Sequence, residues 1–161
     1  MISVALCKWL LIGDSLAVGF RSLPDQINRA EVGRNLAGVE KTIDEDLKLC
    51  PKGTVLISLG SNDMWRFKKS IHASHNKKYV QRFNALVEKI KKTRKVMILP
   101  VPAGGRHKEA ADKINYHWSF HPEFIPLHPN LRKHLTFDNV HLKRSGHKIW
   151  LKQINARTCG E

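Results

Sequence analysis

Apolar residues in this chain fall into two kinds of run. The first kind is short and continuous: Val4 to Ile12, closed by Gly13; Thr54 to Leu59, closed by Gly60; and Val96 to Leu99, closed by Pro100. Runs of this length that are apolar at nearly every position, instead of every second one, predict strands buried on both faces. The second kind has helical spacing. Leu36, Val39, Ile43 and Leu47 predict a helix over Leu36 to Leu49, stopping before Pro51, and Val80, Phe83, Leu86, Val87 and Ile90 predict one over Tyr79 to Thr93. Weaker patterns predict helices over Leu16 to Asn28 (broken near Pro24), Glu109 to Phe120 and Ser145 to Ala156, with short extended pieces over Ala30 to Val32 and Phe124 to Leu127. Strands alternating with helices place the chain in the α/β class, with a parallel sheet covered on both faces. No repeat, linker or low-complexity segment divides it, so residues 1–161 read as a single domain.

In open sheets of this kind ligands gather beyond the carboxyl ends of the strands. Gly13-Asp14-Ser15, Gly33 and Gly60-Ser61-Asn62-Asp63 each follow a predicted strand directly. Composition changes the picture at one point only. With 42% hydrophobic and 26% charged residues the chain is neither a disordered tail, a fibre nor a coiled coil. Its balance of 28 Lys plus Arg against 14 Asp plus Glu, a formal +14, makes an anionic partner a candidate: nucleic acid, acidic polysaccharide, cell wall or an anionic membrane surface. Three scattered cysteines without a C-x-x-C pair predict a reducing compartment, with Cys7 a buried small hydrophobe. The first twelve residues lack a basic leader and carry Lys8 inside the apolar run, so they are read as a buried strand and the protein as cytoplasmic. No run is long enough to span a membrane.

Four short segments carry candidate chemistry. Ser15, after a strand and before a predicted helix, is a nucleophile if a base removes its proton. Asp138, three residues before His141, suits a carboxylate that fixes the imidazole tautomer and leaves the other ring nitrogen as base. The Asn62 amide can donate to a developing oxyanion, and Gly33 allows an oxygen to approach a backbone N–H. Taken singly, each also has a plain structural reading as a helix cap, a turn or a surface histidine.

In their order, Ile12-Gly13-Asp14-Ser15-Leu16, Val32-Gly33-Arg34-Asn35, Leu59-Gly60-Ser61-Asn62-Asp63 and Asp138-Asn139-Val140-His141-Leu142, these segments resemble the four blocks of the SGNH, or GDSL, hydrolases. The resemblance implies a flavodoxin-like three-layer α/β/α sandwich with a central parallel sheet. It also implies ester hydrolysis without metal or other cofactor. Ser15 is then the nucleophile, His141 the base and Asp138 its orienting carboxylate. The N–H groups of Ser15 and Gly33 and the Asn62 side chain form the oxyanion hole, and Asp14 and Asp63 hold loops. Short acyl groups, such as acetyl esters on carbohydrate, are the expected substrate. Longer acyl chains, as for a lipase or thioesterase, and a polyanion-binding module with little catalysis are the alternatives.

Arg34, Trp65, Arg66, Arg106 and His107 are candidate substrate-binding residues, because they lie within or soon after these blocks or in the Gly-Gly loop after the third strong strand. From Arg66 to Lys95 basic residues crowd with Glu88 as the only acid, a solvated face or an electrostatic footprint for an anionic polymer. His117 and His121 stand four apart but lack an acidic or cysteine partner at ligand spacing, so no metal site is assigned.

Overall fold

The computed structural model describes residues 7–67 and 73–158. The start of the first predicted strand, Lys68, Lys69 and Cys159 lie outside them. Four strands form one sheet: β1 (Trp9–Gly13), β2 (Gln26–Asn28), β3 (Thr54–Ser58) and β4 (Val96–Ile98), in the order β2-β1-β3-β4 and all parallel. Phe124 adds a parallel bridge to Ile98 at the β4 edge, where a short strand was expected. Leu10, Leu11, Ile12, Val55, Leu56 and Ile57 are all fully buried, which is why these runs read as continuous rather than alternating.

Connectivity decides which face each helix covers. From β2 over β1 to β3, then to β4 and Phe124, the chain always steps in one direction across the sheet. Right-handed crossovers therefore put α1 (Leu36–Leu49), α2 (Ala73–Lys91) and α3 (Lys108–Trp118) on one face. These helices meet through Arg82 with Glu40, Lys89 with Asp44, and Phe83 stacked on Trp118 at 4.4 Å. The step from β1 to β2 runs the other way, so residues 14–25 lie on the opposite face. There Phe20 meets His147 and Trp150 of α4 (Arg144–Thr158) at 5.7 and 6.1 Å. The result is a three-layer α/β/α arrangement whose strand order reverses between β1 and β3, the position at which such sheets open a crevice.

Two expectations about local structure are corrected. Residues 16–28 form no helix. They make a turn, a short loop and β2 itself, and Ala30 to Val32 is not a strand. The side chain of Asn28 explains part of this: its amide donates to the carbonyls of Ala17 and Phe20 at 3.0 Å each, holding the loop in a shape no helix allows. Cys7 is not a free hydrophobe either. It forms a disulfide with Cys50, tying the approach to β1 to the end of α1. Neither spacing nor count pointed to this pair, because the partners are 43 residues apart and meet only through the sheet.

Candidate active site

Ser15 stands on the turn that leaves β1. Its position depends on Gly13, where an added Cβ would lie 2.7 Å from the Ser58 carbonyl oxygen of β3. With hydrogen there instead, Asp14 N donates to Ser58 O at 2.9 Å and Ala17 N to Asp14 O at 3.1 Å, so the chain turns sharply. The Asp14 side chain is wholly buried beneath the turn. Its Oδ1 accepts from Leu16 N at 3.0 Å, while Oδ2 accepts from Ser61 N at 2.9 Å and the Ser61 hydroxyl at 2.6 Å. One carboxyl thus joins the serine-bearing turn to the loop that carries Asn62.

Asn62 belongs to a 3-10 segment, Ser61–Phe67, that follows Gly60 in a left-handed conformation (φ +114). The Asn62 amide donates to Arg34 O at 3.0 Å, leaving its second N–H unused by that bond. Asp63 is buried and accepts from Leu36 N at 3.0 Å and the Tyr79 hydroxyl at 3.3 Å, anchoring the same segment to the start of α1.

His141 and Asp138 come from a loop built by one carboxylate oxygen. Asp138 Oδ1 accepts from the Thr136 hydroxyl at 2.6 Å, Val140 N at 2.9 Å and His141 N at 3.0 Å. Asn139 takes φ +58 to close the turn, a conformation that asparagine tolerates well. Oδ2 remains for the imidazole: it lies 2.5 Å from His141 Nδ1, and His141 Nε2 lies 2.8 Å from Ser15 Oγ. A carboxylate only accepts, so Nδ1 carries the ring proton and Nε2 receives the serine O–H. Burial pushes Asp138 up, but the bonds from Thr136, the His141 ring and two backbone N–H groups outweigh it and hold the carboxyl well below its ordinary range.

These residues open on a cleft of about 300 Å³ whose walls include Ser15, Asn62, Trp65, His107, Asp138 and His141. Of the candidate substrate-binding residues, Trp65 and His107 line it. The Arg66 guanidinium stacks 4.4 Å over the Trp65 ring, and Arg106 is exposed and donates to His107 Nε2 at 3.2 Å. Gly33 (φ +77) sits on the turn beside the cleft, tied there by the bond from Asn62 to the next residue.

The expectation for Arg34 is overturned. Its side chain is buried and pairs with Asp46 at 2.7 Å and with Thr42, away from the cleft. Asp46 has no aqueous alternative, and it draws in both Arg34 and Arg29. His121 bonds Asn84 at 2.8 Å and His117 packs on Phe67. Among the described residues no three His, Cys, Asp or Glu side chains gather as a metal site.

The residues that sequence reasoning missed are supports: Ser61 on Asp14, Asn28 under the serine turn, and Thr136 on Asp138. A lone hydroxyl or amide gives no pattern to read; only the fold shows what it holds.

Burial raises the Asp14 carboxyl to about 6, against the opposing effect of its hydrogen bonds to Ser61 and Leu16. A carboxyl whose folded pKa exceeds its unfolded value of 3.8 stabilises the fold fully only below pH 4, and that contribution is lost as pH rises to 6. The difference corresponds to about 3 kcal/mol. Urea unfolding from pH 4 to pH 7, compared between the protein and Asp14→Asn, should show the wild-type stability falling relative to the variant across that window. Parallel curves would contradict a buried, proton-sensitive Asp14.

No family model matches the chain, and no curated protein matches it. Solved structures do. A catalytic mutant of Axe2, an acetylxylan esterase from Geobacillus stearothermophilus, superposes with a TM-score of 0.69 at 17% identity, covering 96% of this chain and 94% of that one. The acetyl xylan esterase AlAXEase gives 0.69 at 19%, covering 93% and 98%. Mutants of Axe2 described as catalytic replace a serine, an aspartate and a histidine by alanine, the last two three positions apart in that enzyme. At these identities the likeness is one of fold: this chain has the α/β/α fold of those esterases.

Proposed function

We propose that the protein is a serine ester hydrolase of the SGNH type acting on short acyl esters, acetyl groups on carbohydrate in particular. The observation that carries this reading is the unbroken line from Ser15 Oγ through the His141 ring to Asp138 Oδ2, at 2.8 and 2.5 Å. Ser15 Oγ attacks the acyl carbon while its proton passes to His141 Nε2. Asp138 keeps the proton on Nδ1 and stabilises the imidazolium that forms. The carbonyl oxygen, now negative, is held by the N–H groups of Ser15 and Gly33 and by the free N–H of Asn62. Collapse breaks the bond to the alcohol, which leaves with the proton from Nε2. Water then attacks the acyl-serine, again giving its proton to Nε2, and the carboxylic acid departs as Ser15 recovers the proton.

The small cleft supports the preference for short acyl groups, and the fold shared with acetylxylan esterases supports the carbohydrate side. A fluorophosphonate probe should label Ser15 alone, and p-nitrophenyl acetate should turn over at least about tenfold faster than the octanoate, the difference expected when extra methylenes find no pocket to fill. Labelling elsewhere would defeat the mechanism; faster octanoate hydrolysis would defeat the short-acyl preference and favour a lipase-like substrate.

A further inference from the structure

The basic residues of this protein are not equivalent. In the run that dominates the sequence, Arg66 to Lys95, part of the charge is met by acids in space: Arg66 by Asp63 at 3.5 Å, Arg82 by Glu40, Lys89 by Asp44 at 2.7 Å, and Lys91 by Glu123 at 2.7 Å and Glu88 at 3.2 Å. Helix α4 is different. From His141 to Thr158 the chain contains no Asp or Glu. Lys143, Arg144, Lys148 and Lys152 are exposed there, with no acidic partner among the described residues. Arg144, Lys148 and Lys152 recur every fourth residue, so they share one face of the helix. At 1.5 Å per residue they make a positive stripe roughly 12 Å long. The stripe begins three residues after His141, itself a residue of the cleft wall. Beside it runs a groove of about 400 Å³ lined by His128, His134, Ile149, Lys152 and Gln153, again without an acid.

We propose that this face of α4 is a docking surface for an acidic polysaccharide, which it leads across the cleft. The inference rests on the ester-hydrolase reading, because a polymer bearing both carboxylates and acyl esters is the polyanion whose reactive group this cleft accepts. Two exposed aromatics support a sugar chain: Trp65 on the cleft wall, 61% exposed, and Phe137, next to Asp138 and 99% exposed, offer flat apolar faces to pyranose rings. Single-stranded nucleic acid is disfavoured, since it is gripped by aromatic side chains stacked along the basic track, and the only aromatics of α4, His147 and Trp150, are partly or fully buried against Phe20.

The test is fluorescence anisotropy of labelled polygalacturonate with the whole protein, at low and high NaCl, against neutral xylan and duplex DNA. Polygalacturonate is expected to bind most tightly and to be released by salt. The triple variant Arg144→Gln, Lys148→Gln, Lys152→Gln should weaken it at least about tenfold, as expected for the loss of several charge contacts. The matched variant Lys77→Gln, Lys78→Gln, Lys92→Gln, which removes the same charge from the α2 side, should change it less than about twofold. Should the α4 triple variant not fold, Lys148→Glu alone, on an exposed position, replaces it with the same expected direction. Equal weakening by both triple variants would reduce the effect to net charge and overturn the proposal, and so would tighter binding of duplex DNA. Binding is read without turnover, so this result stands apart from the labelling of Ser15 that decides the ester-hydrolase reading.

Discussion

Replacing Ser15 by alanine should lower kcat/KM for p-nitrophenyl acetate by about 10⁴-fold or more, with the fold intact. Where nucleophile and base act as one unit, removing either forfeits nearly the whole of their joint contribution. His141→Ala should therefore fall to a similar level, and the double variant should be little worse than either single one. What remains would come from the oxyanion donors and from binding. The geometry explains why stability should barely move. The Ser15 hydroxyl makes one bond, to an imidazole that is 42% exposed, and a partly solvated contact of this sort contributes within about 1 kcal/mol. Steady-state kinetics and thermal unfolding check both halves. A Ser15→Ala enzyme retaining a tenth of the rate would mean that the hydroxyl is not the nucleophile.

Arg34→Met should destabilise the protein by about 3 kcal/mol, the low end for breaking a buried ion pair by removing one partner. Arg34 and Asp46 are both buried, and Asp46 would keep Arg29 and Thr42 as donors, which is why the effect should not be larger. The Asp46 carboxyl is pushed up by burial and pulled below its ordinary range by Arg29, Arg34 and Thr42; without Arg34 that balance weakens. The loss has a second consequence. The Arg34 carbonyl is the acceptor that orients the Asn62 amide, and a loosened turn at residues 33–34 would blur that donor's position. Urea unfolding measures the first effect and kcat/KM the second. Adding Asp46→Leu should recover much of the lost stability, because it removes the stranded charge. An unchanged unfolding free energy in Arg34→Met would show that the pair contributes nothing net.

Arg34 also illustrates where sequence reading stops. Its place in a block next to Gly33 suggested a hand held out to substrate, yet its side chain serves the interior. The deciding partner, Asp46, lies a full helical segment away, and nothing in a linear pattern says that it is buried without water. The same is true of the Cys7–Cys50 disulfide and of residues 16–28. There a plausible helical pattern lost to Asn28, whose amide captured loop carbonyls from a strand that the pattern did not contain.

What the amino-acid order determined alone is the periodic part and the short motifs. Continuous apolar runs of strand length ending in glycine or proline point to strands buried on two faces; the Leu36 to Leu49 stripe points to a one-sided helix; and Asp138, three residues before His141, can reach that ring within one loop. These are local matters, settled by spacing. The tertiary structure decided everything that needs distant partners: that the Ser15 hydroxyl meets an imidazole 126 residues later, that Asp14 couples two loops, and that part of the long basic run is paired with acids while the α4 stripe is not. Charge and burial depend on what lies across space, and periodicity along the chain carries no record of it.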